Sequence, residues 1–195
     1  MNRSVPGKQW CFSVVSLSRV VVMNRSVKVP VVRRCGRYEI RVVRCEVADY
    51  HTGKLSSSDA SIEACCKLAQ DFGMLESPTE KMCIVTLDTQ HVPIGWFEVT
   101  SGTLDASLVH PREVFTFANL VGVSAIILCH NHPSGDPTPS KEDFAVTRRL
   151  MAVGELAGIR VLDHIVVGVD PVTREIKGCS IAAHHNFQPP EKIKF

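Results

Sequence analysis

The chain has no apolar run long enough to cross a membrane, no C-x-x-C pair, and no nucleic-acid-binding motif in its basic N-terminal stretch. Each absence removes a class. The nearest approach to a leader or span, residues 10–22 (WCFSVVSLSRVVV), is interrupted by Arg19 and three serines, and no A-x-A-like cleavage site follows it. The expectation is a protein with no membrane partner. The eight cysteines sit inside apolar runs, where a free thiol behaves as a small hydrophobe. Unpaired thiols of this kind fit a reducing cytoplasm.

What is present is ordinary in bulk and uneven in detail. With 195 residues, 45% of them hydrophobic and 22% charged, one domain with room for a tail is expected. The net charge of +2 hides an asymmetry: residues 1–44 hold ten Lys/Arg and one acid (Glu39), whereas residues 45–195 are net acidic. A basic head can make weak contact with nucleic acid or anionic lipid, and can equally be a solvated tail. MNRSV at 1–5 recurs at 23–27, which leaves the start at Met1 or Met23 open.

Residues 1–36 show no clean period and read as a poorly ordered basic extension. Residues 37–181 read as the folded domain, with a core at 81–170, and 182–195 as a polar tail in which His184 and His185 are solvated. The patterning predicts strands at 37–45, 81–88, 92–101, 123–130, 159–169 and 174–181. It predicts helices at 58–72, 110–120 and 140–157, the second opening on Pro111 at the favoured first position. Strands alternating with helices argue for a layered α/β domain.

The most informative stretch is His130-Asn131-His132-Pro133-Ser134-Gly135-Asp136-Pro137-Thr138-Pro139-Ser140-Lys141-Glu142-Asp143. On a strand, His130 and His132 at i and i+2 point the same way, so both rings can reach one divalent ion. Cys129 points to the opposite face and belongs to the core. The proline-rich loop 133–139 is stiff, and Asp136 before Pro137 suits a turn hydrogen bond. Ser140 opens a helix with Asp143 one turn in. That pair can be a helix cap, a ligand set, or both. Asp163 and His164 lie inside an apolar strand and read as core or as supports for the ligands.

The string H-N-H-P-S-G-D-P-T-P-S-x-x-D resembles the JAMM motif of JAB/MPN metalloenzymes in its RadC-like form. Residues 100–115 (TSGTLDASLVHPREVF) and 162–168 (LDHIVVG) resemble the same family, so that the likeness covers about 37–180. The resemblance implies a cytidine-deaminase-like α/β fold, a mixed sheet flanked by helices. It implies a zinc-dependent peptidase or isopeptidase site in which His130, His132 and Asp143 bind Zn²⁺ and Ser140 stabilises the oxyanion. The family also uses an upstream Glu as general base. Of the two candidates, Glu113 in a helix's first turn already has a structural explanation. Glu98, an acid on the face of Ile94 and Trp96, is therefore chosen, a partly buried carboxylate being suited to proton transfer. RadC-like proteins also carry a DNA-repair label, which makes a non-catalytic DNA-linked accessory role the alternative. The helix-hairpin-helix module common in that family has no counterpart here.

Overall fold

The computed structural model describes residues 53–101 and 109–191. Helix α1 (Ser58–Asp71) starts where Ser57 accepts a hydrogen bond from the Ala60 amide, 3.2 Å. Strands β1 (Lys81–Leu87) and β2 (Pro93–Ser101) form an antiparallel hairpin. Its turn is held by Asp88 Oδ1, which accepts from the amides of Gln90 (2.8 Å) and Val92 (2.9 Å). Helix α2 (Pro111–Val121) is followed by β3 (Ala125–Asn131), helix α3 (Lys141–Ala157), β4 (Arg160–Val169) and β5 (Ile176–Ser180). Every element predicted within the described residues is present, with ends shifted by one or two positions. The strand predicted at 37–45 and the extension 1–36 lie outside the described residues.

The five strands make one mixed sheet in the order β2-β1-β3-β4-β5. Only β3 and β4 run parallel, and α3 carries the chain between them. Strand β3 is buried along its whole length, which accounts for its continuous apolar run. Side-chain alternation divides the core between two faces. Cys83, Val85, Ile127, Cys129, Ile165 and Val167 pack under α1 with Ala64, Cys65 and Leu68. Met82, Ile84, Ile126 and Leu128 pack on the other face with Val114, Phe115, Val146 and Leu150 from α2 and α3. The result is a three-layer α/β/α domain, and no helix among the described residues is long and apolar enough to cross a membrane.

One expectation needs correction. The stretch after β5 is not simply solvated. Phe187 is buried against Ile181, Val166 and Phe144 of α3, and the His184 ring lies 5.3 Å from that of Phe144. A single aromatic in a polar segment was too little periodicity to reveal this return to the core. His185 is exposed, as expected.

The core under α3 sets a clear contrast. Leu150 is fully buried, whereas Leu156 on the same helix is 59% exposed. Leu150→Ala is expected to cost about 2–5 kcal/mol and Leu156→Ala less than about 0.5 kcal/mol, read from urea unfolding.

Candidate metal centre

Strand alternation places His130 on the α3 face of the sheet, in line with Ile126 and Leu128. The ring is completely buried. His132 lies just past the strand, and its amide donates to the Val167 carbonyl at 2.8 Å, extending the pairing with β4. Its Nδ1 is 2.8 Å from the Asp136 carbonyl. Asp136 holds the loop in turn, its Oδ1 accepting from the amide (2.9 Å) and hydroxyl (2.7 Å) of Thr138. The loop is pressed against the end of β4. A Cβ on Gly135, whose φ is +87°, would lie 2.3 Å from the Val169 carbonyl oxygen, and one on Gly168 would lie 2.4 Å from that of Gly135. Neither backbone has room to yield, so both positions require glycine.

The first turn of α3 answers the question left open by Ser140 and Asp143. Ser140 is the cap: its Oγ accepts from the Asp143 amide at 3.1 Å. Asp143 Oδ2 accepts in return from the Ser140 amide and hydroxyl, both at 2.7 Å. The same carboxylate faces the histidines. Asp143 Oδ1 is 3.2 Å from His130 Nε2, and Oδ2 is 3.5 Å from His132 Nε2. The two Nε2 atoms are 3.0 Å apart. Capping and convergence are thus performed by one arrangement.

These residues fit a metal ion. Tetrahedral ligands at ~2.0–2.1 Å from an ion stand about 3.3–3.4 Å from one another. The two nitrogens stand 3.0 Å apart and each lies near that value from one or other carboxylate oxygen, and His130, His132 and Asp143 form a group among the described residues whose ligand atoms, one from each, all lie within 4.8 Å of one another. Two imidazoles and one carboxylate are a borderline-hard donor set suited to first-row divalent ions.

The electrostatics point the same way. Burial pushes the His130 pKa well down, and the neighbouring His164 adds to the effect. Burial alone would raise the Asp143 pKa, but hydrogen bonds from His132 and Ser140 outweigh it and hold the carboxylate ionised. His132 is shifted upward, chiefly by its hydrogen bond to Asp143, with burial opposing and Asp136, Asp143 and Glu80 assisting. A metal binding here displaces the proton that His132 and Asp143 share.

Asp163 and His164 diverge, as neighbours on a strand must. His164 is fully buried beneath the site, with Nε2 2.8 Å from His130 Nδ1 and Nδ1 2.6 Å from the Thr147 hydroxyl. Asp163 faces away and ties down the end of β5, accepting from the Ser180 hydroxyl at 2.7 Å and the Ala182 amide at 3.1 Å. Burial is the main influence on Asp163 and raises its pKa.

The structure corrects the placement of Glu98. It pairs in register with Cys83, on the α1 face, whereas His130 pairs with Met82 on the α3 face. Its side chain is 47% exposed and forms an ion pair with Lys81 at 2.8 Å. That lysine, 17 residues away in sequence, is the reason for an acid on an otherwise apolar strand face. Glu113 sits in the first turn of α2, 3.7 Å from Arg112.

The carboxylate that sequence reasoning missed is Glu80. The β1–β3 register pairs Met82 with His130. Extended by two residues, it sets Glu80 beside His132. Asn131 secures the approach, accepting from the Lys81 amide at 2.8 Å and donating to the Thr79 carbonyl at 3.2 Å. The charge of Glu80 accordingly reaches His132. The only sequence signal was its position just before a strand that must lie antiparallel to the histidine strand.

The buried histidines make metal-free protein sensitive to acid. Burial lowers His164 to about 4, with the Asp143 charge opposing. The folded pKa lies below the unfolded value, so the unfolded state binds more protons, and stability is lost as pH falls from about 6.5 to about 4. For His164 alone the loss is on the order of 3 kcal/mol. His132 has the opposite sign: its contribution is present below about 6.5 and disappears as pH rises through its raised folded value. Urea unfolding of metal-free protein should therefore show a pH dependence between 6.5 and 4 that is shallower in His164→Asn. Equal slopes would mean that His164 is not buried neutral.

Known proteins share this arrangement of sequence. Residues 55–177 match the profile of the RadC-like JAB domain. A UPF0758 protein of Pelobacter propionicus is 53% identical over 89 residues, covering 46% of this chain and 39% of the relative. One from Clostridium botulinum (strain Okra / Type B1) is 42% identical over 119 residues, 61% of this chain and 51% of the relative. One from Alkaliphilus metalliredigens is 55% identical over 85 residues, 44% and 37% of the two chains. The chain thus spans no more than about half the length of these curated relatives. With its mixed sheet, its two covering layers and the profile match over well more than half its length, the chain belongs to the RadC-like JAB domain family.

Proposed function

We propose that the protein is a zinc-dependent hydrolase that cleaves a peptide or isopeptide amide bond with water as nucleophile. The observation that carries this reading is the convergence of His130 Nε2, His132 Nε2 and the Asp143 carboxylate within 4.8 Å of one another. Three protein ligands leave a fourth position open, which is the arrangement of catalytic rather than structural zinc sites. A bound Zn²⁺ supplies a Lewis acid and brings the pKa of a water molecule toward ~7.

The chain's own residues supply the rest. Glu80, half-buried beside His132, takes the general-base role expected of Glu98: it accepts the proton of the attacking water and returns it to the leaving amine nitrogen. The Ser140 hydroxyl donates to Asp143 at rest and lies at the exposed mouth of the site, from where it can turn to the developing oxyanion. The substrate is a peptide or protein whose identity is set by surfaces around the site. The described cysteines are all free, and burial pushes the thiols of Cys83 and Cys66 up to about 12 and about 11, as for inert packed side chains. Unpaired thiols of this kind fit the reducing cytoplasm expected from the sequence. The DNA-linked alternative rests on residues 1–36, outside the described residues, and nothing within them favours it.

Metal analysis and a peptide-substrate screen test the proposal together. Wild type should carry about one zinc per chain and His130→Ala none. Glu80→Gln should keep the metal while turnover drops by at least ~10²-fold, and Glu98→Gln should change neither. Zinc retained in full by His130→Ala, or turnover lost in Glu98→Gln but not in Glu80→Gln, would sink this assignment.

A further inference from the structure

We infer that Thr147 and His164 form a buried relay that fixes His130 in the tautomer with a bare Nε2, so that both are positioning residues for the metal centre. The inference rests on the metal reading above, and goes beyond it in assigning a role to two residues that touch neither ion nor substrate.

The relay follows from which atoms can donate. Thr147 Oγ1 lies 2.6 Å from the Asp143 main-chain carbonyl and 2.6 Å from His164 Nδ1. A carbonyl oxygen only accepts, so the single hydroxyl proton of Thr147 points to Asp143. Toward His164 the hydroxyl must accept, so His164 Nδ1 carries a proton. The ring nitrogens of His164 face Thr147 and His130, with no carboxylate among their hydrogen-bond partners, so the buried ring is neutral and its Nε2 is bare. That nitrogen accepts from His130 Nδ1 at 2.8 Å. His130, buried and neutral, is then left with its lone pair on Nε2, the atom 3.2 Å from Asp143 Oδ1. Thr147, His164 and His130 are each 0% exposed, so no bulk water competes for any link.

In its neutral form His132 is set in the same tautomer by a separate route. Its Nδ1 faces the Asp136 carbonyl, which can only accept, and its Nε2 is again directed at the centre. The two arms differ in origin. His132 is set by its own loop, whereas His130 is set by the main chain of Asp143. That residue offers its carboxylate to the ion and, through its carbonyl, Thr147 and His164, aims the opposing imidazole. A shift of the first turn of α3 would therefore disturb two ligands at once.

Thr147→Val keeps the shape of the side chain and removes the hydroxyl. His164 Nδ1 then lacks an acceptor, and the ring gains by placing its proton on Nε2, against His130. Thr147→Ser keeps the relay. Zinc affinity is to be measured by chelator competition at constant pH, alongside nitrogen-15 spectra of the histidine rings in metal-free protein and thermal unfolding of each variant. Thr147→Val should bind zinc about 10- to 100-fold more weakly than wild type while Thr147→Ser stays close to it. The wild-type ring spectrum should show His130 with Nδ1 protonated and Nε2 bare. A folded Thr147→Val with wild-type affinity, or a proton on His130 Nε2 in the wild type, overturns the relay. If Thr147→Val fails to fold, the wild-type ring spectrum still decides. Wild-type protein that takes up no zinc overturns the metal reading instead, and the ring spectrum separates that failure from failure of the relay.

Discussion

The Asp143 carboxylate is held between two imidazoles by a helix cap, and the rest of the centre is arranged around that fact. An ionised carboxylate with little solvent exposure is costly unless it is well partnered. Here the partners are the Ser140 amide and hydroxyl and the edge of His132. The cap is therefore more than a local stabiliser of α3. It sets the carboxylate at the one point where the end of β3 delivers its histidines.

That delivery depends on the sheet. The parallel β3–β4 pair needs a crossover, and α3 is that crossover. Its first turn follows directly on the loop that leaves β3. His130 from β3, His164 from β4 and Asp143 and Thr147 from α3 are brought together by one βαβ unit. The Gly135–Gly168 contact presses the intervening loop onto β4 so that His132 closes the set. Strand β1, antiparallel to β3, adds Glu80 from the side. The two histidines come from the end of β3 and the carboxylate from α3, so the geometry is a property of the packed domain.

Much of this was legible in the chain. Hydrophobic period located the elements because β3 is buried throughout and the helices are amphipathic. The i, i+2 spacing of His130 and His132 carried their shared direction, since strand alternation is local. Ser140 and Asp143 were legible as a pair but ambiguous in role, and the structure shows that cap and convergence coexist. Glu98 misled because burial was inferred from its neighbours, whereas its strand β2 is the edge of the sheet and its partner Lys81 lies across the hairpin on β1. Glu80 was silent for the complementary reason: its place beside His132 exists only through the β1–β3 register. Phe187 and the Thr147–His164 link likewise depend on contacts between distant segments, which no periodicity encodes.

The central claim is that His130, His132 and Asp143 form one centre with two nitrogen ligands and one carboxylate. X-ray absorption at the zinc edge of stoichiometrically loaded protein tests it most directly. The account predicts two imidazoles and a light-atom remainder at ~2.0–2.2 Å, consistent with a carboxylate and water. Sulfur scattering at ~2.3 Å, or a single imidazole, would place the metal elsewhere and contradict it.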